Sequence, residues 1–247
     1  MIGPAAYTVL YVVAGSFLAA TLRGFAGFGF VMSAVPLLGL GLPPAQVVPL
    51  ALLLQVEISA IGMREALRLC DWRSLLWLLP GMVVGTPLGV ALLAGLSARD
   101  ARLAIGALIA AAVAVLAKGV RLRPDPSPVV AVGVGVVSGV MNGLSGMSGP
   151  PVVAYLLALP HGTGVVRATS IVFFMLTAAF ALVPMTAHGL VGKTTLIWAA
   201  IAWPALFLGA RIGAWGFRRT TPRVHRVSAL IVLSALAVGL MLRGLVG

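Results

Sequence analysis

The chain has 247 residues, of which 61% are hydrophobic and only 9% charged, and its mean hydropathy is +1.13. Soluble domains carry about 25% charged residues, so composition excludes an ordinary soluble domain. The net charge of +12 does not point to nucleic acid: the basic residues form no contiguous face with interleaved aromatics, but sit in short loops, as orientation signals do.

Ten apolar segments follow one another, at about 5–22, 28–42, 45–62, 74–96, 101–118, 128–141, 150–160, 164–187, 193–216 and 226–243. A bilayer span needs roughly 17–25 apolar residues, so the chain is used up by helices and short loops, as one transmembrane domain over residues 1–247. Residues 1–22 lack a basic n-region and are not expected to form a cleaved signal peptide. The single cysteine, Cys70, excludes an intramolecular disulfide and a cysteine-based metal cluster. No cofactor or metal motif stands out.

Twice a glycine-rich break interrupts an apolar run, first as Arg23-Gly24-Phe25-Ala26-Gly27-Phe28-Gly29 and again as Asn142-Gly143-Leu144-Ser145-Gly146-Met147-Ser148-Gly149-Pro150-Pro151. Gly24 and Gly27 precede Gly143 and Gly146 by the same 119 residues. Farther on, Pro80, Gly85 and Gly89 match Pro204, Gly209 and Gly213 at an offset of 124. Two homologous halves are therefore expected, repeat 1 over about 5–121 and repeat 2 over about 127–245. The proline-rich stretch at about 121–128 is the linker.

The first two segments of each half flank the glycine break. In the second half they are short, about 14 and 11 residues, and read as a re-entrant hairpin whose tip reaches the bilayer interior. Each half is then a glycine-broken hairpin plus three transmembrane helices. If the hairpins return to their own side, twelve cations (Arg23, Arg64, Arg68, Arg73, Lys118, Arg121, Arg123, Arg167, Arg218, Arg219, Arg223, Arg226) face one side, and four (Arg99, Arg102, Lys193, Arg243) face the other. A mere kink at each break would give a split near eight to seven. The positive-inside rule prefers the first arrangement. It puts both termini outside the cytoplasm and inverts the second half relative to the first. Paired breaks in inverted repeats point to a substrate site near the midplane.

Unwound backbone is tolerated at membrane depth only where protein or a polar cavity satisfies its N–H and C=O groups. The segments that follow Gly29 and Gly149 would aim two helix N-termini at that point, with their partial positive charge and free N–H donors. Pro150 suits a first helical turn. Glycines at 24, 27, 29, 143, 146 and 149 would let backbone approach a ligand closely. Asn142, Ser145 and Ser148 add neutral donors, and Arg23 adds a full charge. An intramembrane arginine costs about 2.5–3.5 kcal/mol on insertion scales, which an anionic partner would offset. The set favours a small anion rich in oxygens. Glu57, with Gln55 beside it, lies inside the third segment and is the candidate for proton coupling.

The Gly-Phe-Ala-Gly-Phe-Gly and Asn-Gly-Leu-Ser-Gly-Met-Ser-Gly-Pro-Pro motifs, with the basic loops, resemble the TauE/SafE sulfite exporter family. The resemblance covers nearly the whole chain. It implies export of sulfite, sulfoacetate or related organosulfur anions across a bacterial inner membrane, and it reaches Gly24, Gly27, Gly143, Gly146, Gly149 and Pro150. The first copy has Phe28 and Phe30 in place of the second copy's polar residues and prolines, so an asymmetric site is expected.

Competing readings stay open on sequence alone. The break could line a passive anion channel, and the whole could be a structural subunit or a homodimer in contact with membrane lipid. Gly143-Leu144-Ser145-Gly146 has the form used by intramembrane serine proteases, for which His188 is the one base at plausible depth. The four-residue spacing of Gly81, Gly85 and Gly89 reads as helix packing, and Arg211 as snorkelling. The histidines near loops, His161 among them, read as solvated. The tryptophans read mostly as interfacial anchors.

Overall fold

The computed structural model describes residues 4–26, 29–118, 127–217, 219 and 222–246, and every regular element among them is a helix. In chain order these are α1 (Pro4–Ala26), α2 (Phe30–Gly39), α3 (Pro44–Ser59), α4 (Met63–Leu69), α5 (Trp72–Gly95), α6 (Ala98–Lys118), α7 (Pro128–Ser145), α8 (Gly149–Ala158), α9 (Thr163–Ala187), α10 (Lys193–Phe217) and α11 (Pro222–Val246). Five of them, α1, α5, α7, α9 and α10, are long and apolar enough to cross a membrane, and α3 with α4 makes a sixth if that bent pair is one span. The chain is a multi-pass membrane protein.

Two boundaries differ from the sequence reading. Helices α1 and α7 run on into the glycine motifs, so α7 has 18 residues rather than about 14. The break itself is short, and the half-length members are α2 and α8, ten residues each. Helix continues through Gly24 and Gly143 because each faces another helix's backbone. A Cβ on Gly24 would stand 2.7 Å from the Ala210 carbonyl oxygen, and one on Gly143 would overlap that of Thr86. Such close approach offsets glycine's helix cost of about 1 kcal/mol. The second difference is α4, in a stretch expected to be loop. Gly62 takes φ +79°, a left-handed conformation that favours glycine, and turns α4 by 77° from α3.

The largest interfaces are α5 on α7 and α1 on α10. Both are seams of small residues. A Cβ on Gly81, Gly85 or Gly89 would collide with the carbonyls of Val132, Val136 and Val140 on α7. On the other seam, Gly209 and Gly213 meet the Phe17 and Thr21 carbonyls of α1. The contacts advance together along each pair, so α5 runs parallel to α7, and α10 to α1. The packing reading of these glycines holds. Outer faces of α5 and α10 carry exposed Leu76, Val84, Leu88, Trp77, Leu208, Ile212 and Trp203, an apolar belt suited to lipid.

Contacts also fix the two ends of the bundle. The Tyr11 hydroxyl near the start of α1 donates to the Leu37 carbonyl at 2.5 Å. Arg102 Nε donates to the Gly39 carbonyl at 3.3 Å, and Gly244 of α11 lies against Arg102 and Leu103. The start of α1 and the finish of α11 therefore share an end with the α2–α3 and α5–α6 turns. At the opposite end Asp71 joins the α4–α5 turn to the α8–α9 turn. His161 Nε2 lies 2.8 Å from its carboxylate, and the Asp71 N–H donates to Thr169 Oγ1 at 2.9 Å. His161 is exposed, as the sequence reading has it, and its ring is also held by a hydrogen-bond partner 90 residues away. Asp71 also caps α5, accepting from the Arg73 and Ser74 N–H groups at 3.1 and 3.3 Å. Burial pushes its carboxyl up, but the hydrogen bonds from Ser74 and His161 outweigh that and hold it below the usual carboxylate range.

Candidate functional site

The turns between α1 and α2 and between α7 and α8 converge on one cavity. It is lined by Gly29, Val31 and Met32 at the start of α2, and by Gly146, Met147, Ser148 and Gly149 at the tip of the second break. Asn142 of α7, Gln55 of α3, and Phe174 and Ala178 of α9 complete it. Both half-length helices thus bring their N-termini to the same place. About 20 Å³ is open to the centre of a water-sized sphere, roughly what one water needs. A polyatomic anion requires the walls to part.

Each wall has a local cause. Helix α7 ends at Gly146, whose φ of +71° is left-handed and whose N–H donates to the Asn142 carbonyl at 2.6 Å. Glycine terminates helices in this conformation because it carries no Cβ penalty. A Cβ here would also stand 2.7 Å from Val31 Cγ1, so the bare Cα keeps the two broken segments in contact. Met147 and Ser148 turn the chain, and the Ser148 carbonyl accepts from Ser138 Oγ at 2.7 Å. Helix α8 then opens with Gly149-Pro150-Pro151. The prolines preset helical φ but have no N–H, so α8 offers fewer donors than an ordinary N-terminus. Helix α2 has no proline in its first turn and keeps its Phe30 and Val31 N–H groups.

Polar side chains inside are few and mostly tied down. Gln55 Nε2 donates to Ser59 Oγ at 2.6 Å. Asn142 Nδ2 donates to the Thr177 carbonyl at 2.9 Å, and the Ser148 and Thr177 hydroxyls share a hydrogen bond of 3.2 Å. The Phe174 ring lies across the two N-termini. It is the nearest group to a Cβ at either Gly29, at 4.0 Å, or Gly149, at 3.3 Å.

The structure sorts the residues singled out from sequence. Gly29, Asn142, Gly146, Ser148, Gly149 and Gln55 line the cavity. Gly24 and Gly143 lie in the helix seams. Ser145 is buried one position before the turn, and its hydroxyl donates to the Met141 carbonyl at 2.6 Å. The His188 ring instead contacts the Pro184 carbonyl at 2.9 Å, so the pairing that a serine protease requires is not formed by these two residues. Pro150 shapes the start of α8 without lining the cavity, and Gly27 lies outside the described residues. Arg23, in the last turn of α1, is outside the lining too. It feels the like charge of Arg167, near the start of α9, and neither has an acidic partner among the described residues. Arg211 is exposed beside the Phe207 ring, 5.7 Å from its centroid, as snorkelling would have it. Glu57 does not reach the cavity, since residues two apart point to opposite sides of a helix. Its Oε2 is buried without a hydrogen-bond partner, and no arginine pairs with it among the described residues.

Sequence reasoning missed Val31, Met32, Met147, Phe174 and Ala178. One of them was within reach: Phe174 stands 119 residues after Gln55, the offset that relates the two breaks.

Residues 12–240 match the family described as "Sulfite exporter TauE/SafE". The protein named "Probable sulfite/organosulfonate exporter TauE" of Cupriavidus necator is 28% identical over 234 residues, covering 90% of this chain and 88% of that one. No solved structure matches.

Proposed function

The chain belongs to the sulfite exporter TauE/SafE family, and from that premise we propose that it exports a small sulfur oxyanion or organosulfonate through the cavity between the two broken hairpins. The observation that carries this reading is the convergence of the α2 and α8 N-termini on one cavity. Helix N-termini favour anions through their partial positive charge and unbonded N–H groups. The unpaired Arg23 and Arg167 lie toward the Asp71–His161 end of the bundle, where they would draw anions in from the cytoplasm.

We take the two halves to be inverted repeats. Two features support this: corresponding helices pack reciprocally, α1 on α10 and α7 on α5, and α1 and α7 run in opposite directions. The Asp71–His161 end is then cytoplasmic in a bacterial inner membrane, and both termini are outside. Moving one negative charge out of an inside-negative cell is favourable by about 2.3 kcal/mol per 100 mV. Export of a monoanion therefore proceeds without a coupling ion.

A carrier is favoured over an open channel by the cavity itself, which admits about one water and must change shape to pass an anion. The test is sulfite flux from liposomes carrying the purified chain. A carrier saturates with sulfite concentration, whereas flux that rises linearly to high concentration would establish the channel.

A further inference from the structure

Asn142 is 1% exposed and lines the cavity. Its Nδ2 faces the Thr177 carbonyl, and a backbone carbonyl can only accept. That fixes the amide in one orientation and leaves Oδ1 as the atom without a hydrogen-bond partner, although it is buried. Ser16, Glu57 and Thr86 also hold a buried oxygen in this condition, but none of the three lines the cavity. Gln55 differs, because its Nε2 meets the Ser59 hydroxyl, which can donate as well as accept. The Gln55 amide can therefore reverse and present either face, whereas Asn142 cannot.

A fixed acceptor is out of place in a site for a simple oxyanion. Sulfite dianion and alkylsulfonates present only acceptor oxygens. Bound here, they would leave Oδ1 bare or set another oxygen against it, and a buried acceptor without a donor is costly. We infer that the anion taken by this cavity carries a hydrogen-bond donor of its own, which Asn142 Oδ1 accepts. Asn142 is then a specificity residue that selects hydrogen-bearing monoanions: hydrogen sulfite over sulfite, and amino- or hydroxy-substituted sulfonates over plain alkylsulfonates. This rests on the anion reading of the cavity proposed above.

Sulfamate and methanesulfonate give a matched pair. They have the same charge and nearly the same size, and only sulfamate has N–H donors. Each is added as a competitor to sulfite flux in liposomes containing the full chain. Sulfamate should inhibit at a concentration about tenfold lower, as expected where a site's buried polar group discriminates, and Asn142→Leu should erase the difference. The wild-type comparison decides the matter even where the variant fails to insert. Equal potency of the two compounds overturns the inference and leaves the anion site standing, with Oδ1 satisfied by water. A preference that survives Asn142→Leu also overturns it. Flux that neither saturates nor responds to either compound removes the anion reading itself.

Discussion

Gly146→Ala separates the structural from the transport role of the break. The backbone at Gly146 has φ +71°, and left-handed geometry costs a residue with a Cβ about 1–2 kcal/mol. The new methyl would also stand 2.7 Å from Val31 Cγ1. Overpacking of that kind typically costs about 1–3 kcal/mol, unless Val31 shifts, and Val31 is itself a wall of the cavity. The variant should therefore lose about 2–5 kcal/mol of stability in all and most of its flux. Adding Val31→Ala removes the steric part but not the backbone part. The double variant should thus regain flux while remaining less stable than wild type by at least the backbone part, about 1–2 kcal/mol. Thermal unfolding in detergent gives the stability order, and sulfite flux in liposomes gives the activity. Wild-type stability for Gly146→Ala would refute the left-handed turn. Flux that Val31→Ala does not improve would refute the contact.

Other predictions follow from single contacts. Gly143→Ala forces α7 away from the Thr86 carbonyl, so it should lower the yield and stability of folded protein while surviving protein keeps its half-saturating sulfite concentration; a raised value with normal stability would return Gly143 to the site. Arg23→Ala should slow flux at low salt more than Arg211→Ala does, and the gap should close as salt screens the charge. Asp71→Ala removes an N-cap and an interhalf hydrogen bond to His161, and should cost about 1–2 kcal/mol at neutral pH in thermal unfolding. Because the folded Asp71 carboxyl titrates below its ordinary value, its contribution is full above the unfolded value and is lost as pH falls through the folded one. Wild type and variant should therefore converge in acid. Glu57→Gln should abolish any response of flux to a pH gradient but preserve potential-driven flux; a retained response would make Glu57 structural.

Much of the fold was legible because its causes are local. Charges, prolines and glycines marked the turns, and apolar length marked the spans, so the ten segments match α1–α3 and α5–α11 in order. Helix α4 escaped because Met63–Leu69 is short and carries three charges, and only the left-handed Gly62 turns it from α3. The glycine motifs were found, but not which glycine does what. Gly24 and Gly143 continue their helices while Gly29 and Gly146 sit at helix ends, and which surface each faces depends on a helix from the other half of the chain. For the same reason the Asp71–His161 pair, 90 residues apart in sequence, left no local trace. Phe174 looked like any apolar residue of a spanning helix, and only the repeat offset sets it apart.

The most direct test of the central claim is sulfite efflux from liposomes clamped at an inside-negative potential, comparing wild type with Gly29→Leu. Gly29 has ordinary φ of −58° and its nearest neighbour beyond a Cβ is the Phe174 ring at 4.0 Å. The leucine side chain therefore fits the backbone, and it would fill the space between the two helix N-termini. If that space is the anion's path, wild-type efflux saturates and the Gly29→Leu protein that inserts and folds carries no sulfite. Full sulfite efflux through a folded Gly29→Leu protein would contradict the account.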